Sequence, residues 1–184
     1  LQLLEHKFDT MLNPHGIVFN TQSIVKALND YLENKQYQVN DLVQLNDTWH
    51  SLHHHGSFSN ANSTIVLEKI NTQISSAHHH LKQANHLYIT LGSSWVYRHI
   101  QSNQVVANCH KIPQHQFQKE LLTSQYQQQI LEETLTKLIE FNPKIKISFT
   151  VSPVKYIRDG LIENNLSKAQ LLTTVHSICN QFDY

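Results

Sequence analysis

Apolar residues recur at helical spacing in several stretches of this chain. The clearest stripe begins at Val66, Ile70 and Ile74 and predicts a helix over about 63–84. The same spacing predicts further helices over about 24–34 after a capping Ser23, over about 114–140 with a break near Ser124, and over about 165–181. These segments predict that helices form much of the fold.

Shorter apolar runs predict strands between the helices. We expect buried strands at HLYITL (86–91) and at 145–151, and a hairpin formed by 95–100 and 105–109. Alternating helices and strands favour an α/β layer fold with parallel strands. Because only two strands look fully buried and a covered parallel sheet normally has more, we expect the missing strands to lie outside this chain.

Composition and charge exclude several classes of binding partner. The 184 residues carry no net charge and no Lys/Arg cluster, which argues against nucleic acid as a partner. No apolar run reaches the length of a membrane span, so no membrane role is expected. Two distant cysteines favour a reducing compartment, and we expect a cytoplasmic protein. The chain starts in mid-pattern without Met, as a fragment does.

Four blocks resemble the GSCFA family, a branch of the SGNH/GDSL hydrolase superfamily. They are NPHGIVFN (13–20), WHSLHHHGSFS (49–59), ITLGSSWVYR with VVANCHK (89–98 and 105–111), and FTVSPVKYIRDGLIENNLSKA (149–169). The resemblance implies a three-layer, SGNH-like (flavodoxin-like) α/β fold, with a parallel sheet flanked by helices. We expect that sheet to be incomplete and to carry a helical or loop insertion and a β-hairpin. Residues 1–184 would form one partial domain.

The family resemblance implies a serine esterase or acyltransferase that acts on acyl esters, including esters of carbohydrates, without a cofactor. The family's Gly-Ser-Cys-Phe-Ala block, whose serine is the expected nucleophile, does not occur in this sequence, and its C-terminal Asp-x-x-His block, which should supply the base, is expected to follow residue 184. We therefore expect no catalytic nucleophile or base within this chain, and we expect the chain alone to be inactive.

Groups that stabilise an oxyanion are still expected here, since acyl chemistry needs donors for the developing charge. Gly92, Ser93 and Ser94 follow a predicted strand, where the wider superfamily has a Gly-x-Asn-Asp motif, and Asn108 offers a further amide. The alternative for the turn is an ordinary strand end, with Gly92 present for its backbone freedom.

Six further residues are candidates for substrate binding. His53, His54, Trp95 and His110 lie in the resembling blocks, and each is open to a structural role in the core instead. Arg158 and Asp159 follow the last strand, where Arg is suited to clamp a carboxylate or a polar sugar-like group. An ion pair or a turn at Gly160 is the competing interpretation. Asn164 and Asn165 are expected to cap the last helix.

Histidine runs at 53–55 and 78–80 suggest metal binding, but neither has the i, i+4 spacing of helical zinc motifs, so no metal is predicted. His78–His80 are expected on a solvated helix face. Cys109 beside His110 suggests a Cys-His pair, although neighbours on a strand point to opposite faces, which favours Cys109 as a core residue.

Three functional hypotheses follow, and they leave the oligomeric state open. The first is an acyl-ester enzyme core whose partner is a small-molecule or carbohydrate acyl ester. The second is a non-catalytic module that binds a glycan or metabolite in the same crevice. The third and weakest is a metal protein built on the histidine loop.

Overall fold

The computed structural model describes residues 2–158 and 160–182. Its helices are α1 (Gln2–Glu5), α2 (Thr21–Leu32), α3 (Ser63–Gln83), α4 (Ser124–Phe141) and α5 (Leu161–Gln181). Its strands are β1 (Val43–Leu45), β2 (Thr48–His50), β3 (His86–Leu91), β4 (Trp95–His99), β5 (Gln104–Val106), β6 (Phe117–Leu121) and β7 (Lys146–Val151). Helices and strands together confirm a mixed α/β fold.

Strands β3 and β7 pair in parallel, in a register that runs from His86 beside Lys146 to Leu91 beside Val151. Their side chains alternate between two faces. The face with Ile89, Leu91 and Ile147 is buried, whereas His86, Tyr88, Thr90, Lys146, Ser148 and Thr150 are exposed on the other. The two strands were expected to be buried on both faces, and the described residues cover only one.

The main core lies between the buried face of the parallel pair and the four long helices. Val66 and Ile70 of α3, Leu131 and Leu135 of α4, and Leu171 of α5 are fully buried in this cluster. Since side chains of all these helices share one core, the helices lie on one side of the pair, and the second helical layer of the expected three-layer fold is not among the described residues. The parallel sheet is incomplete, as expected.

A second sheet is antiparallel, with strand order β5-β4-β6. The hairpin of β4 and β5 is confirmed, but the prediction of helix from residue 114 is wrong, because 117–121 form β6 along the other edge of β4. Helix α4 begins only at Ser124, and Thr123 caps it by accepting a hydrogen bond from the Tyr126 N–H. Cross-strand pairing with β4 overrides the helix propensity of Gln118, Lys119 and Glu120.

Two predicted helix starts are also corrected. Helix α2 is capped by Asn20, whose side-chain oxygen accepts from the Ser23 N–H at 2.8 Å, so Ser23 is inside the helix. Helix α5 starts at Leu161, which places Asn164 and Asn165 within it rather than at its cap. The buried Asn164 instead accepts a hydrogen bond from the Tyr156 N–H at 2.9 Å and fastens the preceding loop.

A short hairpin of β1 and β2 lies in the stretch 37–60. Asn46 and Asp47 form its turn with positive φ angles, a conformation that Asn and Asp tolerate better than most residues. None of the helices in the described ranges has the length and apolar character needed to cross a bilayer.

Candidate functional site

The carboxyl ends of β3 and β7 lie side by side, because the last paired residues are Leu91 and Val151. The Ser152 N–H continues the ladder to Leu91 O at 2.8 Å. From α5, the Lys168 ammonium donates to Gly92 O and to Ser152 O, both at 2.8 Å. One lysine thus joins the two strand ends at the edge where open α/β sheets bind ligands.

The segment before α2 packs against the same edge. The N–H groups of Gly92 and Ser93 both donate to Phe19 O, at 2.8 and 3.1 Å, and Asn20 forms a parallel bridge with Ser93. A Cβ atom on Gly92 would lie 3.2 Å from Phe19 O. Glycine is therefore favoured here by the close approach of another chain segment, and its φ angle is not positive.

Ser94 is fully buried in a hydrogen-bond network that joins four elements. Its hydroxyl donates to Ser167 O at 3.0 Å and accepts from the Gln127 amide at 3.1 Å, and its N–H donates to Ser167 Oγ at 2.8 Å. Gln127 Oε1 accepts in turn from the Thr21 hydroxyl at 2.5 Å. The network ties the turn after β3 to α2, α4 and α5.

Ser93 and Trp95 are the half-buried residues of this turn beside Gly92. Ser93 Oγ accepts from the Trp95 N–H at 3.0 Å and lies 3.5 Å from Ser167 Oγ. The indole N–H of Trp95 donates to Glu163 O at 3.1 Å. Since the N–H groups of residues 92–94 are all engaged, the Ser93 hydroxyl is the group of this turn best able to donate to a ligand.

The other candidate histidines and Asn108 lie with the 49–59 loop. His110 Nε2 is 2.7 Å from Ser51 O, and the His110 N–H donates to the Asn108 side chain at 3.0 Å. The Asn108 N–H donates to Leu52 O at 3.2 Å. Within the described ranges no hydrogen bond joins this group to residues 92–95, so the predicted site residues fall into two separate groups.

His54 is enclosed beside Ser51, with 1% of its surface exposed. Its Nδ1 is 2.8 Å from Ser51 Oγ, which resembles a nucleophile–base pair, and its ring stacks on His15 with centroids 4.1 Å apart. Burial, followed by the neighbouring His15 and His53, lowers the pKa of His54 to about 2. A substrate does not reach this pair in the present conformation.

A buried ionic cluster around Asp30 contacts His54 through the stacked ring of His15. Asp30 accepts from Lys26 at one oxygen and from the Tyr37 hydroxyl at the other, 2.8 Å away, where His15 Nε2 also lies at 3.2 Å. Three donors hold the pKa of Asp30 far below its usual range against the opposing effect of burial. Burial also lowers the pKa of His15, so a neutral ring and a carboxylate pair there.

Arg158 is exposed and forms no ion pair within the described ranges, and Asp159 lies outside the described residues. Val154, Tyr156 and Ile157 of the same loop are exposed as well, at 69%, 54% and 62%. The loop after β7 therefore presents apolar side chains beside the strand ends.

Cys109 packs with Leu52, Val106 and Phe117 in a small apolar cluster, and burial raises the pKa of its thiol. Both observations favour a core residue over a nucleophile. His78 departs from the expected solvated face, because its Nδ1 lies 2.8 Å from Tyr31 O. No group of three or more metal-ligating side chains occurs in the part of the chain that the structure describes.

Sequence reasoning missed Lys168, Gln127 and Ser167, which organise the strand ends. Lys168 and Ser167 stand in the resembling block 149–169, so proximity to the family motif was a usable signal. Gln127 falls in a glutamine-rich stretch with no local feature that marks it as buried. Its partners Thr21 and Ser94 are distant in sequence and are brought to it by the fold.

The parallel strands β3 and β7 end beside the starts of α2 and α5, at a polar turn. This arrangement defines the chain as an α/β protein, a class whose open sheets usually bind ligands at the strand ends. Within that class, the chain belongs to the GSCFA family, whose model matches residues 1–184. No curated protein and no solved structure matches the chain.

Proposed function

We propose that this chain forms the scaffold and rim of the acyl-ester site of a serine esterase or acyltransferase. The observation that carries the proposal is the meeting of β3, β7, the start of α2 and the start of α5 around Gly92, Ser93 and Lys168. Polar groups at such a strand-end crevice are the usual place for ligands in open α/β folds.

In a serine mechanism the serine hydroxyl gives its proton to the base as its oxygen bonds to the acyl carbon, the ester C–O bond breaks, and the leaving alcohol takes that proton from the protonated base. Water or a second alcohol then accepts the acyl group. The residues of this chain would bind the ester and stabilise the oxyanion, with the Ser93 hydroxyl as the donor and Trp95 as the wall beside it. The substrate we propose is a small-molecule or carbohydrate acyl ester, and the two free cysteines are in keeping with a cytoplasmic site of action.

The test uses protein expressed from the full coding sequence and a short-chain aryl acetate. Ser93→Ala should lower kcat by about 10²-fold with little change in KM, because an oxyanion donor acts mainly in the transition state. Ser76→Ala, an exposed serine of α3, is the matched control and should leave kcat unchanged. Full activity in Ser93→Ala would refute the role of Ser93.

The same assay on residues 1–184 alone should show no turnover above buffer. Turnover by this chain that Cys109→Ala abolishes would replace the proposal with a Cys-His enzyme.

A binding module is the second candidate, favoured by one observation. The N–H groups of residues 92–94 already donate to Phe19 O and Ser167 Oγ, which leaves no pair of free backbone donors for an oxyanion. Binding of an acetylated sugar that changes Trp95 fluorescence, without ester turnover by the full-length protein, would establish this function instead.

A further inference from the structure

A separate cleft of about 670 Å³ opens between α2, the turn before β1 and the β4–β5 hairpin. Its volume is within the range of small-molecule sites. None of Gly92, Ser93, Ser94 or Trp95 lines it. The cleft is therefore distinct from the strand-end crevice, and what it binds does not depend on the function proposed above.

Two ammonium groups share one wall of the cleft. Lys26 donates to Asp30 and lies 3.3 Å from the Tyr37 hydroxyl, while Lys35 lies 4.5 Å from the Tyr37 ring centroid. Asp30 balances Lys26, but within the described ranges Lys35 has no carboxylate partner. Burial lowers the pKa of Lys26, and the neighbouring Lys35 ammonium is a smaller contribution in the same direction.

A third cation in the lining, Arg98 of β4, is held in place by hydrogen bonds. Arg98 donates to both oxygens of Glu120, at 2.8 and 3.0 Å, and to Asn103 O at 3.0 Å. These bonds use three of the five guanidinium N–H groups and leave two for a ligand. Because Glu120 and the hairpin turn orient Arg98, little side-chain entropy is lost when an anion binds.

The rest of the lining is rich in neutral hydrogen-bonding groups. Gln22, Asn40, Gln101 and Gln104 offer carboxamides, and His53 Nε2 lies 3.3 Å from Gln104 Oε1. Burial lowers the pKa of His53 to about 4, so its ring is neutral at pH 7. The lining includes one carboxylate, Asp41, which accepts a hydrogen bond from the Gln38 N–H at 2.8 Å. Carboxamides and a neutral imidazole are matched to hydroxyl groups, which both donate and accept.

We propose that this cleft binds an anionic, polyhydroxylated small molecule, with its phosphate or carboxylate between Lys35, Lys26 and Arg98 and its hydroxyls on the carboxamides. Sugar phosphates and uronic acids both have this chemistry. A neutral sugar has no anionic group to pair with Lys35, and inorganic phosphate has no sugar hydroxyls to bind the carboxamides.

The test is calorimetric titration of the 184-residue chain at low salt with glucose 6-phosphate, glucuronate, glucose and inorganic phosphate. We expect one or both sugar anions to bind at least about tenfold more tightly than glucose and than inorganic phosphate. The two anionic ligands distinguish a phosphate site from a carboxylate site. Raising the salt concentration should weaken binding of the anions.

Variants at Lys35 locate the site. Lys35→Gln should weaken binding of the sugar anion about tenfold, Lys35→Arg should keep it, and Lys137→Gln, at an exposed lysine of α4, should leave it unchanged. Thermal melting of each variant shows whether it is folded. Absence of binding, equal affinity for glucose, equal affinity for inorganic phosphate, or unaltered binding in a folded Lys35→Gln variant would each overturn the proposal.

Discussion

Single residues in this chain owe their identity to partners that are distant in sequence. Gly92 was a candidate oxyanion residue with backbone freedom as the alternative, and the structure adds a close approach, since a Cβ atom there would lie 3.2 Å from Phe19 O. His54 was a candidate for substrate binding with a role in the core as the alternative, and it is 1% exposed against His15. The family-like motifs identified both positions as candidates, but the contacts that explain them come from residues distant in sequence that only the fold brings near.

The buried histidines make stability depend on pH. Because the folded pKa of His54 is about 2 and its unfolded value about 6.5, the unfolded chain binds a proton that the folded chain excludes between these values. The free energy of unfolding should therefore fall as pH drops below 6.5. At pH 5 the contribution of His54 alone is about 2 kcal/mol. His53, with a folded pKa of about 4, acts in the same direction.

Urea unfolding at pH 7 and pH 5 measures this loss. The loss should be about 2 kcal/mol smaller in His54→Phe than in the unaltered chain, because phenylalanine does not titrate. His79→Phe replaces an exposed histidine and should keep the full pH dependence. An equal loss in all three proteins would contradict the assignment.

At the scale of elements, local sequence patterns predicted the secondary structure of a segment correctly where pairing with a distant strand did not determine it. The stripe of α3 gave its bounds to within a residue, because its apolar face alone specifies burial. The local pattern of FQKEL (117–121) predicts helix, whereas pairing with the edge of β4 makes it a strand whose Glu120 side chain binds Arg98. The pairing partner lies about twenty residues upstream, beyond the reach of a local pattern.

Gln127 should be the most sensitive polar residue of α4, since its buried amide joins Thr21, Ser94 and Leu122 O. Gln127→Leu removes these bonds and leaves buried groups unpaired, which should cost about 2–4 kcal/mol of unfolding free energy. Gln129→Leu makes the same change at an exposed position and should cost less than about 0.5 kcal/mol. Chemical denaturation of both variants measures the difference, and similar values would show that the network contributes little.

For the molecule as a whole, the open face of the parallel pair is the dominant feature. The alternation of HLYITL and KISFTV carries this information, since His86, Tyr88 and Thr90 alternate with Leu87, Ile89 and Leu91. The prediction of strands buried on both faces gave too little weight to this period of two. The number of strands in the parallel sheet did not follow from the sequence, because no local pattern specifies how many neighbours a strand has.

Within the part of the chain that the structure describes, one face of the parallel pair is open and no strand joins the outer edges of β3 and β7, so the chain should associate with other copies. Tyr88, 62% exposed on this face, should contribute to the contact, so Tyr88→Lys should reduce the apparent mass at high protein concentration. Tyr126→Lys, which replaces an exposed tyrosine of α4, is the control and should leave association unchanged. Light scattering over a concentration series measures the mass. A monomer at all concentrations in the unaltered chain would contradict this prediction.

The parallel register joins residues that are 60 positions apart, from His86 beside Lys146 onward. The whole antiparallel sheet and α4 lie between them in sequence. During synthesis, β3 therefore leaves the ribosome long before its partner exists and waits unpaired while the intervening segment emerges. Long-range pairing of this kind slows folding, and the strand ends that Lys168 joins come together only after β7 and α5 have both emerged.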